Sequence, residues 1–196
     1  MSSWRGGLYS DSFYDGTHRM SLSFTITYSG ITHRIKSDAF VSKPGSVDKV
    51  KLNALWDTGA TQCVISESFA EQIGLTKVSE ATMNHAGGSS KVNVYIADIE
   101  LLNKVIVRDV KLLSTKSIND FDMIIGMNVI TLGDFCITNK DRRTVVSFRY
   151  PSETQIDFVK ESEDFKSKYY RSLGRNAKCP CNSGKKVKDC CGKGFV

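Results

Sequence analysis

The sequence predicts an all-β fold, a closed barrel with one or two short helices, followed by a small C-terminal module of different composition. Three observations lead to this prediction. Apolar and polar residues alternate over several segments between residues 20 and 151, as in strands with one buried face. Turn residues separate these segments, and many short strands with regular turns are typical of barrels. Residues 171–196 hold four of the six cysteines and carry the whole formal net charge of +6.

The strand segments follow one another along the chain. Alternation is clearest in five of them: SLSFTITY (21–28), VDKVKLNALWD (47–57), KVNVYIADIEL (91–101), VIVRDVKLL (105–113) and TVVSFRY (144–150). A short helix is predicted after the second segment, because Ser66 is a suitable N-cap and Gly74 a suitable stop. One further helical turn is predicted after the glycine of FDMIIGMNVI (121–130).

Composition divides the chain into four segments. Residues 1–19 are rich in Gly, Ser and Asp without periodicity, which predicts a flexible arm or, alternatively, an edge strand that becomes ordered on assembly. Residues 20–151 hold the strand pattern and are predicted to form the barrel domain. Residues 152–171 are charged and are predicted to form a linker or a helix, and residues 172–196 form the cysteine-rich module.

The overall composition, with 40% hydrophobic and 24% charged residues, is that of a soluble globular protein. No apolar run is long enough for a membrane span, and the N-terminal residues lack the apolar core of a secretory signal. The positive charge is confined to the C-terminal module, so it gives little support for a nucleic-acid-binding face on the barrel. We therefore expect a cytoplasmic protein.

The stretch LWDTGATQCVIS (55–66) contains the residues with the clearest chemistry. An apolar strand leads into Asp57, Thr58 offers a hydroxyl, and Gly59 permits a tight turn directly after the strand. A lone buried carboxyl group would become protonated, whereas two carboxyl groups that share one proton can hold and activate a water molecule. The alternative is an ordinary surface turn in which the Asp side chain caps the strand.

LWDTGATQCVIS resembles the active-site loop of retropepsin-like aspartic proteases, in which Asp-Thr/Ser-Gly-Ala/Ser follows an apolar strand. IIGMNVI (124–130) resembles the second signature of that family, whose strand lies beside the catalytic loop. The resemblance covers about residues 20–150 and implies an aspartic endopeptidase that needs no cofactor for catalysis. Trp56, a bulky residue directly before the Asp, departs from the commonest pattern of the family.

The resemblance also implies the roles of individual residues. Asp57 would activate the water, Thr58 would brace two such loops against each other, and Gly59 would shape the loop. Only one Asp-Thr-Gly occurs in the chain, so the second carboxylate must come from another copy. The implied enzyme is a homodimer with an isologous interface at the Asp57 pair, and its substrates are polypeptides.

NHAGGSSKVNVYI (84–96) lies where the family has its flap, a glycine-containing hairpin that closes over the substrate. The implied flap tip consists of Ala86, Gly87 and Gly88, where the glycines would let the backbone approach an extended substrate. An ordinary hairpin turn is the alternative.

The C-terminal stretch GRNAKCPCNSGKKVKDCCGKGF has a cysteine spacing typical of a metal site: Cys179, Cys181, Cys190 and Cys191. Four thiolates can close a tetrahedral structural zinc site, and so few apolar residues would not fold without such a ligand. The pattern resembles the zinc-binding SEC-C motif over about residues 172–194. Free or disulfide-paired cysteines are the alternative. The resemblance implies recognition of a protein partner or an acidic surface, with no catalysis at the zinc.

Three classes of function follow. The first is a homodimeric aspartic endopeptidase with a zinc module that recruits partners or substrates. The second is a non-catalytic module that uses the same barrel to bind peptides or assemble a complex, and the intact Asp-Thr-Gly argues against it. The third is a nucleic-acid-associated protein, which the lack of interleaved aromatic residues in the basic tail disfavours. Cleavage that depends on Asp57 separates the first class from the other two.

Overall fold

The computed structural model describes residues 2–6, 21–85, 88–116, 118 and 120–196. The chain divides into two compact units, Met1–Glu153 and Thr154–Val196. They are called here the barrel unit and the C-terminal unit.

The described part of the barrel unit is built mainly from strands. In chain order they are β1 (Ser2–Gly6), β2 (Leu22–Tyr28), β3 (Ile35–Ser42), β4 (Lys49–Trp56), β5 (Cys63–Ser66), β6 (Lys77–His85), β7 (Gly88–Glu100), β8 (Ile106–Thr115), β9 (Met123–Ile125), β10 (Asp134–Thr138) and β11 (Val145–Tyr150). Two short helices accompany them, α1 (Glu67–Ile73) and α2 (Met127–Ile130). This confirms the predicted all-β class with one or two short helices.

The larger sheet closes on itself. Its strand order is β3-β4-β9-β5-β8-β7-β6, and β3 also pairs with β7. Six strands therefore form a closed barrel, while β6 extends the sheet as the partner of β7. The pairs β4–β9 and β5–β8 are parallel, and the other pairs in this sheet are antiparallel. The parallel pairing of β4 with β9 brings the ends of these two strands to the same edge of the barrel.

A second sheet has the strand order β1-β2-β11-β10. β1 pairs antiparallel with β2 from Ser2 opposite Tyr28 to Gly6 opposite Phe24. A flexible arm or an edge strand is predicted over residues 1–19, and Ser2–Gly6 forms an edge strand. Residues 7–20 lie outside the described residues.

The helix ends follow the predicted local chemistry. Ser66 is the N-cap of α1, where its side-chain oxygen accepts a hydrogen bond from the amide of Phe69 at 3.4 Å. Gly74 ends the same helix in the left-handed conformation, with φ 72°. A residue without a Cβ takes this conformation at low cost, which explains why the helix stops there.

Alternation along the strands sends apolar side chains into one core. In β4 the buried residues are Leu52, Ala54 and Trp56, as the sequence pattern predicts. An aromatic group consisting of Phe24, Trp56, Phe135 and Phe148 joins this core to the second sheet. The barrel and the second sheet therefore share a single hydrophobic core.

The C-terminal unit begins with a helix, α3 (Phe158–Leu173), in the segment expected to be a linker or a helix. Asp157 caps its start, because one carboxylate oxygen accepts hydrogen bonds from the amides of Val159 and Lys160, both at 3.0 Å. The four cysteines follow α3 in a compact, loop-rich segment. No helix in the described part of the chain is both long and apolar enough to cross a membrane.

Candidate active site and cysteine cluster

Asp57 follows directly after β4 at the edge of the barrel. Its amide donates to the carbonyl of Ile125 at 3.0 Å, which extends the β4–β9 pairing by one residue. One carboxylate oxygen, Oδ1, accepts a hydrogen bond from the amide of Gly59 at 2.8 Å. The side chain of Asp57 is half-buried, and Thr58 and Gly59 are exposed at the surface of the described chain. The carboxylate is thus held by its own loop and faces a surface that another molecule can reach.

The segment after β9 lies against the back of this loop. The amide of Met127 donates to the carbonyl of Ala60 at 2.8 Å, and the amide of Asn128 donates to the carbonyl of Thr61 at 3.2 Å. Gly126 makes the close approach possible, because a Cβ there would lie 2.5 Å from the carbonyl oxygen of Gln62. The expectation that IIGMNVI lies beside the Asp-Thr-Gly loop is therefore confirmed.

Asn128 is a supporting residue that was not predicted from the sequence. Its side-chain oxygen accepts hydrogen bonds from the amide of Cys63 at 2.9 Å and from its thiol at 3.1 Å. Its side-chain nitrogen donates to the carbonyl of Lys111 at 3.2 Å. Asn128 thus ties the end of the Asp57 loop to β8. The sequence signal that could have indicated Asn128 is its position two residues after the glycine of IIG, in the segment predicted to lie beside the Asp57 loop.

Cys63 contacts the same segment and is fully buried. Burial raises the pKa of its thiol to about 12, although hydrogen bonds with Gly126 and Asn128 act in the opposite direction. A thiol that stays protonated is a poor nucleophile, so Cys63 is a packing residue.

Trp56 is accommodated away from the loop surface. Its side chain is 5% exposed, and its indole Nε1 donates to the hydroxyl of Ser37 at 2.9 Å. Its ring stacks on Phe135, with centroids 5.3 Å apart. The bulky residue before Asp57 therefore fills the core between the two sheets, and the structure gives its size a packing role.

The predicted flap corresponds to the hairpin of β6 and β7, which closes with His85 opposite Gly88. Gly88 has φ 123°, a backbone conformation that L side chains rarely adopt. Ala86 and Gly87 lie outside the described residues.

The four C-terminal cysteines come together in the C-terminal unit. Their sulfur atoms all lie within 4.8 Å of one another. Neighbouring pairs are separated by 3.3 Å (Cys179–Cys181), 3.5 Å (Cys181–Cys190) and 3.8 Å (Cys190–Cys191). Four sulfurs bound tetrahedrally to zinc at 2.3 Å lie about 3.8 Å apart, whereas a disulfide requires about 2.05 Å. The cluster fits a zinc ion and contains no disulfide.

Local backbone structure brings the two cysteine pairs together. The amide of Cys179 donates to the carbonyl of Lys185 at 2.8 Å, which closes the loop between the pairs. Asn182 and Gly184 turn this loop with φ 61° and 74°. Val187 is completely buried and lies against Gly192, where a Cβ would meet its side chain at 2.2 Å. Val187 and Cys179 are the buried hydrophobic residues of the module, whereas Cys181 and Cys191 are exposed.

The thiols of the cluster differ in acidity. Hydrogen bonding with Ser183, and then with Cys179, lowers the pKa of Cys181 to about 6. Hydrogen bonding to Cys181 and Cys179 raises the pKa of Cys191 to about 12. Cys181 is therefore the readier of these two thiols to supply the thiolate that a metal ion binds.

Two family models match the chain. Residues 44–131 match the family described as "gag-polyprotein putative aspartyl protease", and residues 175–193 match the SEC-C motif. The resemblance to retropepsin-like aspartic proteases and to the SEC-C motif is thereby confirmed.

Curated relatives match a smaller part of the chain. SecA, a protein translocase subunit of Campylobacter curvus (strain 525.92), is 40% identical over 58 residues, which is 28% of this chain. SecA of Campylobacter fetus subsp. fetus (strain 82-40) is 32% identical over 63 residues, which is 29% of this chain. The matched region spans 7% of each of these relatives.

Two of the solved structures that match the chain are viral or retropepsin-like proteases of low identity. A retropepsin-like aspartic protease from Rickettsia conorii matches 67% of this chain and 96% of its own, with 16% identity and a TM-score of 0.46. An EIAV protease complexed with the inhibitor HBY-793 matches 53% of this chain and 89% of its own, with 15% identity and a TM-score of 0.41.

Proposed function

We propose that two copies of this chain form an aspartic endopeptidase whose catalytic dyad is Asp57 of each copy. The observation that carries the proposal is the fixed position of the Asp57 carboxylate. The loop around it is bonded to β9 and α2, and one carboxylate oxygen is already held by the amide of Gly59. The other oxygen has no hydrogen bond to a described residue, and the exposed Thr58 and Gly59 leave room for a second loop.

The proposed mechanism uses two carboxyl groups that share one proton. Like charges at close range cannot both ionise, so one Asp57 is protonated and the other is charged. The charged carboxylate accepts a proton from a bound water molecule, which attacks the peptide carbonyl carbon. The protonated carboxyl group donates its proton to the carbonyl oxygen as negative charge develops there, which gives a tetrahedral diol. The carboxyl group that took the proton from water then passes it to the amide nitrogen, and the C–N bond breaks. One hydroxyl of the diol returns its proton to the other carboxylate as the new carboxyl group forms, so the pair again shares one proton. This reaction needs no metal or cofactor.

The remaining residues of the proposed site position the catalytic carboxylates and the substrate. Gly59 holds the Asp57 carboxylate through its amide, and Thr58 braces the two loops in the dimer. Ala86, Gly87 and Gly88 form the flap, whose backbone groups bind the substrate as an added strand. Their contribution is to orient the peptide over the dyad.

The C-terminal unit has a separate role in this proposal. Cys179, Cys181, Cys190 and Cys191 hold a structural zinc ion that replaces a hydrophobic core. The nearby positive side chains Lys185, Lys186 and Lys188 then recruit an acidic protein partner or substrate. The proposed segments are the protease domain at 20–151, the connecting helix within 152–171 and the zinc module at 172–196. The six cysteines form no disulfide, which suits the reducing cytoplasm.

The test compares the wild-type chain with Asp57→Asn on a library of denatured proteins and peptides. Cleavage by the wild type and none by the variant is the expected result. Equal cleavage by both would refute the dyad. If neither cleaves while both bind peptides with the same affinity, the barrel is a peptide-binding module.

A mixing experiment tests the second copy. Addition of excess Asp57→Asn chain to the wild type should reduce activity, because mixed dimers contain only one ionisable carboxyl group of the dyad. Full activity of a chain that remains monomeric at the assay concentration would contradict the proposed dimer.

A further inference from the structure

Helix α3 carries a largely exposed aromatic face within the C-terminal unit. Phe158 is 68% exposed, Phe165 is 71% exposed and Tyr169 is 42% exposed. Spacings of seven and four residues place these side chains on one side of a helix, with Ser162 between them. The rings of Phe165 and Tyr169 stack with an interplanar angle of 5°. These four residues are called the aromatic ridge.

A different side of α3 contacts the rest of the C-terminal unit. The ring of Tyr170 stacks on Phe195 with centroids 5.9 Å apart. The guanidinium Nε of Arg171 donates to the carbonyl of Phe195 at 3.0 Å. These contacts hold the cysteine module against the C-terminal end of the helix. Tyr169 also meets the ring of Tyr170 edge-on, with centroids 5.3 Å apart. The rest of the aromatic ridge is exposed within its own unit, and large exposed apolar surfaces of this kind are typical of interaction sites.

The charges of α3 are separated along its length. Its first half contains Glu161, Glu163 and Asp164, with Lys160 as the exception. Its second half contains Lys166, Lys168 and Arg171, and no acidic residue occurs between residues 165 and 188. Two such helices side by side in the same direction would place like charges together. In opposite directions, each acidic half would lie beside a basic half.

We propose that the aromatic ridge of α3 packs against the aromatic ridge of a second copy of this chain, with the two helices antiparallel. When the two helices overlap along their whole length, Phe165 of each copy lies near the two-fold axis that relates the copies. Glu161 and Lys168 are seven residues apart and lie on the same flank of the ridge. Each Glu161 then faces Lys168 of the other copy, so the charges select the antiparallel direction.

The helix pair serves to bring two barrel units together. A helix of 16 residues is about 24 Å long. One helix–helix contact of that length is smaller than a standard stable interface, so it binds weakly by itself. When each helix is linked to a barrel unit, however, the pairing raises the effective concentration of one half-site near the other. The pairing stands independently of the reaction, and only its benefit to catalysis rests on the proposed dyad.

The first test measures self-association of the full chain by sedimentation equilibrium, with Asp57→Asn in all samples to prevent self-cleavage. Phe165→Asp should raise the dissociation constant of the dimer by about tenfold or more, because it places a charge at the centre of the ridge. Lys160→Asp is the control, since Lys160 is exposed on the same helix but lies on the side opposite the ridge. It should leave the dissociation constant unchanged.

A charge exchange tests the direction of the helices. Glu161→Lys and Lys168→Glu should each weaken the homodimer severalfold, because each places like charges opposite one another. An equimolar mixture of the two variants should form a heterodimer of wild-type strength, and so should the homodimer of the double variant. Failure of both combinations to recover association would overturn the antiparallel arrangement.

Other occupants of the ridge would give different results. If Phe165→Asp lowers the melting temperature without changing association, the ridge is covered by the same chain and the proposal is wrong. If neither Asp variant changes association of a chain that dimerises, the barrel units hold the dimer alone and the proposal is also wrong. If association follows the ridge but the chain with Asp57 intact cleaves nothing, the helix pairing stands and the proposed protease function fails.

Discussion

The indole ring of Trp56 lies parallel to the ring of Phe135, with centroids 5.3 Å apart and an interplanar angle of 6°. Trp56 is the residue before Asp57 at the end of β4, and Phe135 belongs to β10 of the second sheet. This stacking connects the strand that presents the carboxylate to a sheet outside the barrel. The position of Asp57 therefore depends on the packing of two sheets, as well as on its own loop.

Replacement of Trp56 tests this connection. Trp56→Ala should lower the free energy of unfolding by about 3–5 kcal/mol, because it removes a large buried ring and leaves a cavity. Trp56→Phe should cost less, since an aromatic ring remains, although the hydroxyl of Ser37 loses the indole donor. Urea denaturation followed by circular dichroism measures both values. A cost below 1 kcal/mol for Trp56→Ala would show that the ring is not part of the core.

Gly126→Ala should disrupt the support of the Asp57 loop. The added Cβ would lie 2.5 Å from the carbonyl oxygen of Gln62 and 2.8 Å from that of Ala60, so one of the two segments must move. The expected cost is about 1–3 kcal/mol of stability, with loss of any activity that depends on Asp57. Gly30→Ala is the matched control, since no atom lies within 4 Å of its Cβ position. Equal stability and activity of both variants would contradict the close packing.

The buried thiol of Cys63 should make the protein less stable at high pH. Its pKa is about 12 in the folded chain against an ordinary value of 9.0, because burial disfavours the thiolate. Between these values the unfolded chain has released the proton and the folded chain has kept it. Stability due to this group is therefore complete below pH 9 and is lost as the pH rises from 9 to 12, by about 1.4 kcal/mol per pH unit.

The measurement is urea denaturation at several pH values for the wild type and for Cys63→Ala. The variant is expected to be less stable at neutral pH because of the cavity, but the difference between the two proteins should shrink above pH 9. A constant difference across the range would show that Cys63 ionises equally in both states. In the folded wild type, Cys63 should also react with iodoacetamide far more slowly than the partly exposed Cys136.

Removal of zinc should unfold the cysteine module and spare the barrel unit. The sulfur geometry predicts one zinc ion per chain, to be measured by elemental analysis of the purified protein. Cys179→Ser should lose the metal, and the amide of Cys179, which is bonded to Lys185, should then exchange rapidly with deuterium. Cys136→Ser is the control and should keep both the metal and the protection. If the amide of Cys179 stays protected from deuterium exchange in the absence of metal, zinc is unnecessary for the fold of the module.

Local patterns in the sequence predicted many of the elements correctly. Alternation placed Leu52, Ala54 and Trp56 on the buried face of β4, because the side-chain period of a strand is two residues. Ser66 and Gly74 marked the ends of α1 because capping depends on nearby backbone groups. Those features can be predicted since every interacting group lies within a few residues.

The supports of the candidate site could not be predicted in the same way. Asn128 contacts Cys63 and Lys111, which are distant in the chain, and Phe135 reaches Trp56 from another sheet. Nothing local to these residues indicates which partner they meet. The parallel pairing of β4 with β9 brings them together, and such pairing is decided by the closure of the whole barrel.

The strand-rich class, the carboxylate in its Asp-Thr-Gly turn and the four cysteines at metal-ligand spacing could all be recognised in the linear chain. These depend on residue type and short spacing, which are complete in the linear chain. Folding was needed to show what holds Asp57 in place, where the ring of Trp56 packs and that the aromatic ridge of α3 is largely exposed in its unit. These depend on which surfaces meet after folding, because burial and contact between distant residues arise only when the sheets and the helix have packed.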